Sequence, residues 1–207
     1  EGAVSDTQTV KFGIRRLRFL PNDTTDQTAL PYTLEVNGRR IYITGWNWVP
    51  IDVLYGVPRQ EKMLRLLTLA RRAHVVLLRV WGGGLIERER FYDLCDGLGL
   101  LVWQEFTQSS SGIDNVPSHD PEWVEALRVE AERVVPLRRN HPSLALWCGG
   151  NELQGEVERP LDDTHPALTA LRDVVRGLDP DRAWLPTSST GRFFSNLLEH
   201  IAADPLG

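Results

Sequence analysis

Leu144-Ala145-Leu146-Trp147-Cys148-Gly149-Gly150-Asn151-Glu152 is the stretch that decides how this chain is read. Its apolar start has the make-up of a buried strand, and it opens into two glycines followed by an amide and a carboxylate. Glycines at that point let the backbone bend closely beneath a ligand. Asn151 can hydrogen-bond a sugar hydroxyl, and Glu152 can carry a proton. An Asn-Glu pair by itself is common, so its weight comes from the rest of the chain.

Three other apolar runs end the same way. Ile41-Tyr42-Ile43-Thr44 leads into Gly45-Trp46-Asn47-Trp48-Val49-Pro50, Val75-Val76-Leu77-Leu78 into Arg79-Val80-Trp81-Gly82-Gly83-Gly84, and Leu100-Leu101-Val102 into Trp103-Gln104-Glu105-Phe106. Five of the seven tryptophans, Trp46, Trp48, Trp81, Trp103 and Trp147, fall at or just past the four strand ends. A single tryptophan is ordinarily a core residue. Five at matching positions beside Arg79, Glu105, Asn151 and Glu152 are expected to form one functional face, and flat apolar rings among amides and carboxylates suit a carbohydrate.

Between these runs lie amphipathic helices. Met63, Leu66, Leu67 and Ala70 mark one beginning near Pro58; Phe91, Leu94, Cys95 and Leu98 mark a second. Asp120-Pro121 starts the third, with the stripe Val124, Leu127, Ala131, Val134 and Val135. The fourth opens at Pro166 and carries Leu168, Leu171, Val174 and Leu178, and Ala183-Trp184-Leu185-Pro186-Thr187 is a fifth strand. Strands alternating with helices give a parallel α/β sheet. No phosphate-binding glycine turn follows the first strand, which disfavours a doubly wound nucleotide fold. Functional residues at every strand end fit a (β/α)8 TIM barrel, of which the chain supplies about five of eight strands. It is expected to be part of a barrel, with unpaired edges through which copies could self-associate.

The N-terminal part reads differently. Lys11 to Phe19 alternates imperfectly and Tyr32 to Val36 better, and Asn37-Gly38 before Ile41 signals a hairpin. Residues 1–10 are expected to be disordered, 11–40 to form a short β element, with a loop over Pro21 to Thr28, and 41–207 to form the barrel part.

Bulk properties narrow the partners. The 207 residues are 42% hydrophobic and 25% charged, an ordinary globular composition, and a net charge of −5 argues against nucleic acid or an anionic membrane surface. Arg71-Arg72 and Arg138-Arg139 are explained by helix ends. No run reaches the ~20 apolar residues of a membrane span. No secretory signal is recognisable, which leaves the compartment open and leans towards the cytoplasm. Cys95 and Cys148 read as buried free thiols, and the five histidines show no metal-ligand spacing. A chain starting at Glu1 is expected to be a piece of a longer protein.

Taken together, Gly-x-Asn-Trp-Val-Pro, Arg-Val-Trp-Gly-Gly-Gly, the run from Phe91 to Phe106, and Asn140-His141-Pro142-Ser143 through Glu152 resemble the catalytic barrel of glycoside hydrolase family 2, in its β-mannosidase-like branch. The likeness runs from about Phe12 to Gly191. It implies a retaining exo-glycosidase acting on a terminal β-linked sugar, with Glu152 as general acid/base and Arg79, Trp81 and Asn151 lining the sugar subsite. Asn47 and Trp48 of the first motif are counted with the substrate-binding residues. No cofactor or metal is implied. Gly150, Ile86, Glu105 and Trp46 depart from the family's usual Asn, Tyr, Asp and small residue. The resemblance also implies a nucleophilic Glu at the end of a seventh strand, beyond the fifth reached here, and makes Phe12-Gly13-Ile14-Arg15 the exit from a preceding β-sandwich. An exo-β-glucosaminidase, another family 2 β-glycosidase, and a non-catalytic sugar-binding or assembly fragment stand as alternatives. Arg79 has two readings at this stage, pairing with Glu105 or Glu152 and direct contact with substrate.

Overall fold

A computed structural model of the chain describes residues 4–21, 32–156 and 159–191. Three antiparallel strands come first, β1 (Leu17–Leu20), β2 (Thr33–Val36) and β3 (Arg39–Ile41), paired in that order. Asn37 and Gly38 turn the chain between β2 and β3 with φ of 50° and 79°, the left-handed pair a two-residue hairpin requires. Arg18 and Glu35 face each other across β1 and β2 and form an ion pair at 2.5 Å.

The main sheet follows. Its elements are β4 (Gly45–Trp48), α1 (Gln60–Arg72), β5 (Leu77–Val80), α2 (Glu89–Leu98), β6 (Leu101–Glu105), α3 (Pro121–Arg138) and β7 (Leu144–Cys148). A two-stranded excursion, β8 (Gln154–Glu156) and β9 (Arg159–Pro160), precedes α4 (Pro166–Leu178) and β10 (Ala183–Leu185). The sheet order is β10-β7-β6-β5-β4, every pair parallel. Each helical crossover therefore steps to the adjacent strand in the same direction. A doubly wound sheet reverses its order part-way; a barrel does not. The expected partial (β/α)8 barrel of five strands, preceded by a short β element, is what the chain forms.

Helix signals read from the sequence act as local chemistry predicts. The Asp120 carboxylate accepts the backbone N–H of Glu122 at 2.9 Å, and Pro121 occupies the first turn of α3. His165 caps α4 through Nδ1, which accepts from the N–H of Ala167. The arginine pairs do lie at the ends of α1 and α3. Between helices and sheet, Leu67, Phe91, Cys95, Leu127, Ala131, Leu171 and Val175 pack against Trp48, Leu78, Val80, Val102 and Trp147 in one core.

Two strand boundaries differ from the reading of the sequence. The first barrel strand was expected at Ile41–Thr44 but is Gly45–Trp48, because Ile41 is taken by the antiparallel ladder opposite Leu34. The second was expected at Val75–Leu78 but is Leu77–Val80, because the N–H of Val75 closes the turn after α1 on the carbonyl of Ala70. The strand anticipated from Lys11 shortens to Leu17–Leu20. Residues 4–10 are exposed and carry neither helix nor strand; residues 22–28 of the anticipated loop lie outside the described residues.

The entering segment docks beneath the sheet. Arg15 donates from Nε to the carbonyl of Pro142 at 2.5 Å and from Nη2 to that of Leu144, at the foot of β7. Burial first, then the nearby charge of Arg182, pushes the Arg15 guanidinium down to about 10. Contacts at this end of a barrel serve stability, and chemistry belongs to the opposite end.

Candidate active site

Side chains alternate across a strand, so register decides which of them meet at the C-terminal ends. Asn47 of β4 lies opposite Arg79 of β5, and Arg79 opposite Trp103 of β6. Glu105 of β6 lies opposite Cys148 of β7. These residues share the face enclosed by the curve of the sheet, and Arg79 sits at its centre. Arg79 donates from Nε to Glu105 Oε1 at 2.8 Å and from Nη2 to Glu105 Oε2 at 3.2 Å. Nη1 reaches Asn47 Oδ1 at 3.1 Å, and Nη2 also reaches Ser188 Oγ at 2.7 Å and Asn151 Oδ1. Of the two readings of Arg79, pairing with Glu105 is present in the fold, and Glu152 is not its partner.

Glu105 is saturated by this arrangement. Besides the two Arg79 donors it accepts Ser188 Oγ–H on Oε1 at 2.6 Å and the backbone N–H of Gly82 on Oε2 at 2.8 Å. Four donors fill the four lone-pair positions of a carboxylate, and the side chain is fully buried. A carboxylate so held is an anchor with no lone pair left for attack or proton transfer.

Glu152 is placed differently. Its backbone has φ of 55°, its N–H donates to the carbonyl of Ser188 at 2.6 Å, and its side chain is exposed in the cleft. Among the described residues, the carboxylate accepts one hydrogen bond, from Ser110 Oγ to Oε2 at 3.0 Å. Asn151, one residue earlier, is buried and fixed on both ends: Oδ1 on Arg79 and Nδ2 donating to Ser109 Oγ at 2.9 Å. Its backbone extends the sheet by single bridges to Ser109 and Ser188.

Asn47, Val49, Arg79, Trp81, Ser109, Ser110, Asn151 and Glu152 line one open cleft of about 350 Å³, within the ~300–1,000 Å³ usual for small-molecule sites. Five of the six site residues expected from the sequence meet here. Trp81 forms the apolar side, and the ring can lie where it does because Gly83 has no side chain: an added Cβ would stand 2.1 Å from it. Gly150 serves neighbouring backbone and not a ligand, since a Cβ there would fall 2.9 Å from the carbonyl of Gln108.

The structure does not bring Trp48 to the cleft. Its side chain is buried on the helix side, the indole N–H donating to Glu87 at 2.9 Å and the ring 5.0 Å from that of Phe91. Trp147 is likewise on the helix side, stacked on Phe106 at 5.3 Å and donating to Asp179 at 3.0 Å. Trp46 is half exposed on the outer face of β4. The expectation that the strand-end tryptophans form one face therefore fails for these three, because alternation sends them away from Asn47 and Cys148. Ser109, Ser110 and Ser188 were missed. The signal for them was positional: the serine run from Ser109 follows β6, and Ser188 follows β10, at the same rim.

The remaining chemistry-bearing groups lie elsewhere. Cys95 and Cys148 are buried free thiols, and burial pushes both well above the usual thiol range. Among the described residues, Glu89, Asp93 and His141 bring ligand atoms within 4.8 Å of one another, away from the cleft. His141 there already holds Asp96 at 2.7 Å and Glu89 at 2.9 Å. No helix among the described residues is long and apolar enough to cross a membrane.

The strand ends of this parallel barrel segment converge on Arg79, Asn151 and Glu152, and residues 32–187 match the model of the glycosyl hydrolases family 2 TIM barrel domain. The chain belongs to that family. It is 36% identical over 200 residues to β-mannosidase B of Thermothelomyces thermophilus, covering 96% of this chain and 22% of the relative. It is 33% identical over 218 residues to the β-mannosidase of Rattus norvegicus, covering 99% of this chain and 24% of the relative. The crystal structure of the β-D-mannosidase from Dictyoglomus thermophilum superposes with a TM-score of 0.73 at 34% identity, over 87% of this chain and 22% of that one. The chain thus spans about a quarter or less of the length of these relatives.

Proposed function

We propose that the protein carrying this barrel segment is a retaining exo-β-glycosidase, a β-mannosidase, with Glu152 as its general acid/base. The observation that carries this reading is the contrast between the two carboxylates at the rim. Glu105 is buried with every lone pair occupied, while Glu152 reaches into the cleft with one neutral donor upon it. A proton-transfer group needs an open oxygen; an anchor needs none. The relatives named as β-mannosidases support the choice of sugar.

Retention requires two carboxyl groups about 5–5.5 Å apart, one attacking the anomeric carbon and one protonating the departing oxygen. In this reading Glu152 gives its proton to the glycosidic oxygen as the bond breaks. A second carboxylate, in the part of the relatives' length that this chain does not span, forms the covalent glycosyl intermediate. Glu152 then takes a proton from water as that water displaces the enzyme. Asn151, held by Arg79 and Ser109, presents its amide to the hydroxyl next to the reacting carbon. Trp81 supplies the flat apolar wall, and Asn47 and Arg79 the polar floor. We further read β1–β3 as the exit of a preceding β-sandwich and the chain from β4 onward as the start of the barrel.

Glu152→Gln in the whole protein tests the assignment. Hydrolysis of substrates that need leaving-group protonation should fall by about 10²–10⁴-fold, the usual worth of general acid–base help. An activated aryl β-mannoside should still load the nucleophile and then stall, and azide should restore turnover with retained configuration. Equal loss on both substrates without azide rescue would sink the assignment.

A further inference from the structure

We infer that Ser110 is a positioning residue for Glu152: its hydroxyl holds the Oε2 oxygen, which fixes the carboxyl group so that Oε1 is the oxygen that passes the proton. The inference rests on the acid/base reading of Glu152 given above and adds how that group is aimed.

Glu152 has a left-handed backbone and is exposed between the buried Asn151 and Leu153, and a glutamate side chain there has three rotatable bonds and large rotamer freedom. Among the described residues, its carboxylate meets one hydrogen-bond donor, Ser110 Oγ, at 3.0 Å. Ser110 itself has little freedom. Its backbone N–H donates to the carbonyl of Asn151 at 2.9 Å, and the N–H of Asn151 donates in turn to the carbonyl of Gln108. The loop after β6 that carries Ser110 is therefore laced directly to the segment after β7 that carries Glu152, and the neighbouring Ser109 grips Asn151 Nδ2. Beyond it the chain closes on itself, with Ser111 Oγ donating to the carbonyl of Asp114 at 2.8 Å. The hydroxyl is thus delivered from hydrogen-bonded backbone to an exposed side chain with several rotatable bonds. Asn151 and Glu152 are aimed by adjacent serines of one loop.

The proton balance follows from the geometry. In the first step Ser110 O–H donates to Oε2, and Oε1–H donates to the leaving oxygen, so one proton moves and the carboxylate remains bound to Ser110. In the second step Oε1 takes the proton of the incoming water while Oε2 keeps its donor throughout. Ser110 neither gains nor loses a proton, so its contribution is orientation, present in both steps.

Ser110→Ala, Ser110→Thr and Glu152→Gln in the whole protein are compared on two β-mannosides, one with a poor leaving group and one with an activated aryl group. Ser110→Ala should lower kcat/KM on the poor leaving group by about tenfold, or about 1.4 kcal/mol, and leave that on the activated substrate within about twofold. Its steady-state turnover of the activated substrate should rise with azide, and Ser110→Thr, which keeps the hydroxyl, should recover most of the loss. Equal loss on both substrates, or no loss on either, would overturn the role of Ser110. Failure of Glu152→Gln to show leaving-group dependence and azide rescue would instead overturn the acid/base reading itself. Melting temperatures close to wild type for the Ser110 variants exclude misfolding as the cause, and a Thr variant as impaired as Ala would count against the hydroxyl.

Discussion

Glu105 grips Arg79 with both carboxylate oxygens, at 2.8 and 3.2 Å, from a fully buried side chain. Ser188 Oγ and the Gly82 N–H complete its shell, so β5, β6, the turn after β5 and the segment after β10 converge on one residue. Removing one partner of a buried pair leaves the other uncompensated, at about 3–5 kcal/mol. Glu105→Gln would also turn an amide N–H₂ towards donors. This variant should lose about 3 kcal/mol of stability in denaturant unfolding. Because Arg79 carries Asn151, kcat/KM on an aryl β-mannoside should fall with it. A variant of wild-type stability would show the pair to be replaceable.

The 207 residues alone should not hydrolyse an aryl β-mannoside. Among the described residues the cleft holds one carboxylate with a free oxygen, Glu152, and the retaining mechanism proposed above has no first step without its nucleophile. Hydrolysis that scales with purified chain and disappears in Glu152→Gln would mean that a second carboxylate is supplied from within this chain.

Much of this was legible in the sequence, for physical reasons. Helix stripes and caps are local, so Asp120-Pro121 and the apolar faces gave the four helices. The Asn37-Gly38 turn is equally local. The rim set Arg79, Trp81, Asn151 and Glu152 was accessible because parallel strands put all their C-terminal ends on one side. What failed was proximity used without parity. Trp46 and Trp48 flank Asn47 and so face away from it, and Trp147 precedes Cys148 in the same way. The strand start at Gly45 was obscured because the apolar Ile41 serves another sheet. Ser109, Ser110 and Ser188 act through loops that carry no periodicity, and a serine run in a loop resembles a solvated linker.

Open sheet edges carry a consequence of their own. Among the described residues, β4 and β10 each have one sheet neighbour, and Trp46 and Tyr42 beside that edge are 50% and 88% exposed. Unpaired backbone next to large apolar side chains favours association. The isolated 207 residues should form dimers or larger species in light scattering, and Trp46→Lys should shift them towards monomer. A monomer at every concentration, melting cooperatively, would count against this.

The foot of β7 offers a test by pH. Burial alone would lower the His141 imidazole, but hydrogen bonds and charge from Asp96 and Glu89 outweigh it and raise the imidazole above its ordinary value. Burial alone would raise Asp96, but the hydrogen bonds from His141 and Ser143 outweigh it and hold the carboxyl below the usual range. A raised histidine contributes stability that is complete below its unfolded pKa and is lost as pH rises through the folded one. A depressed carboxylate contributes above its unfolded pKa and is lost as pH falls through the folded one. Both contributions are in place between about pH 4 and about pH 6.5, set by the ordinary Asp and His values. Asp96→Asn keeps an acceptor for the Ser143 N–H but removes the charge facing His141. In the whole protein it should cost about 3 kcal/mol near the middle of that window, the low end for breaking a buried pair, and less above it as His141 loses its proton. Urea unfolding within the window and well above it measures the difference. An equal cost at both pH values would mean that His141 is neutral throughout and that Asp96 serves only as a hydrogen-bond acceptor.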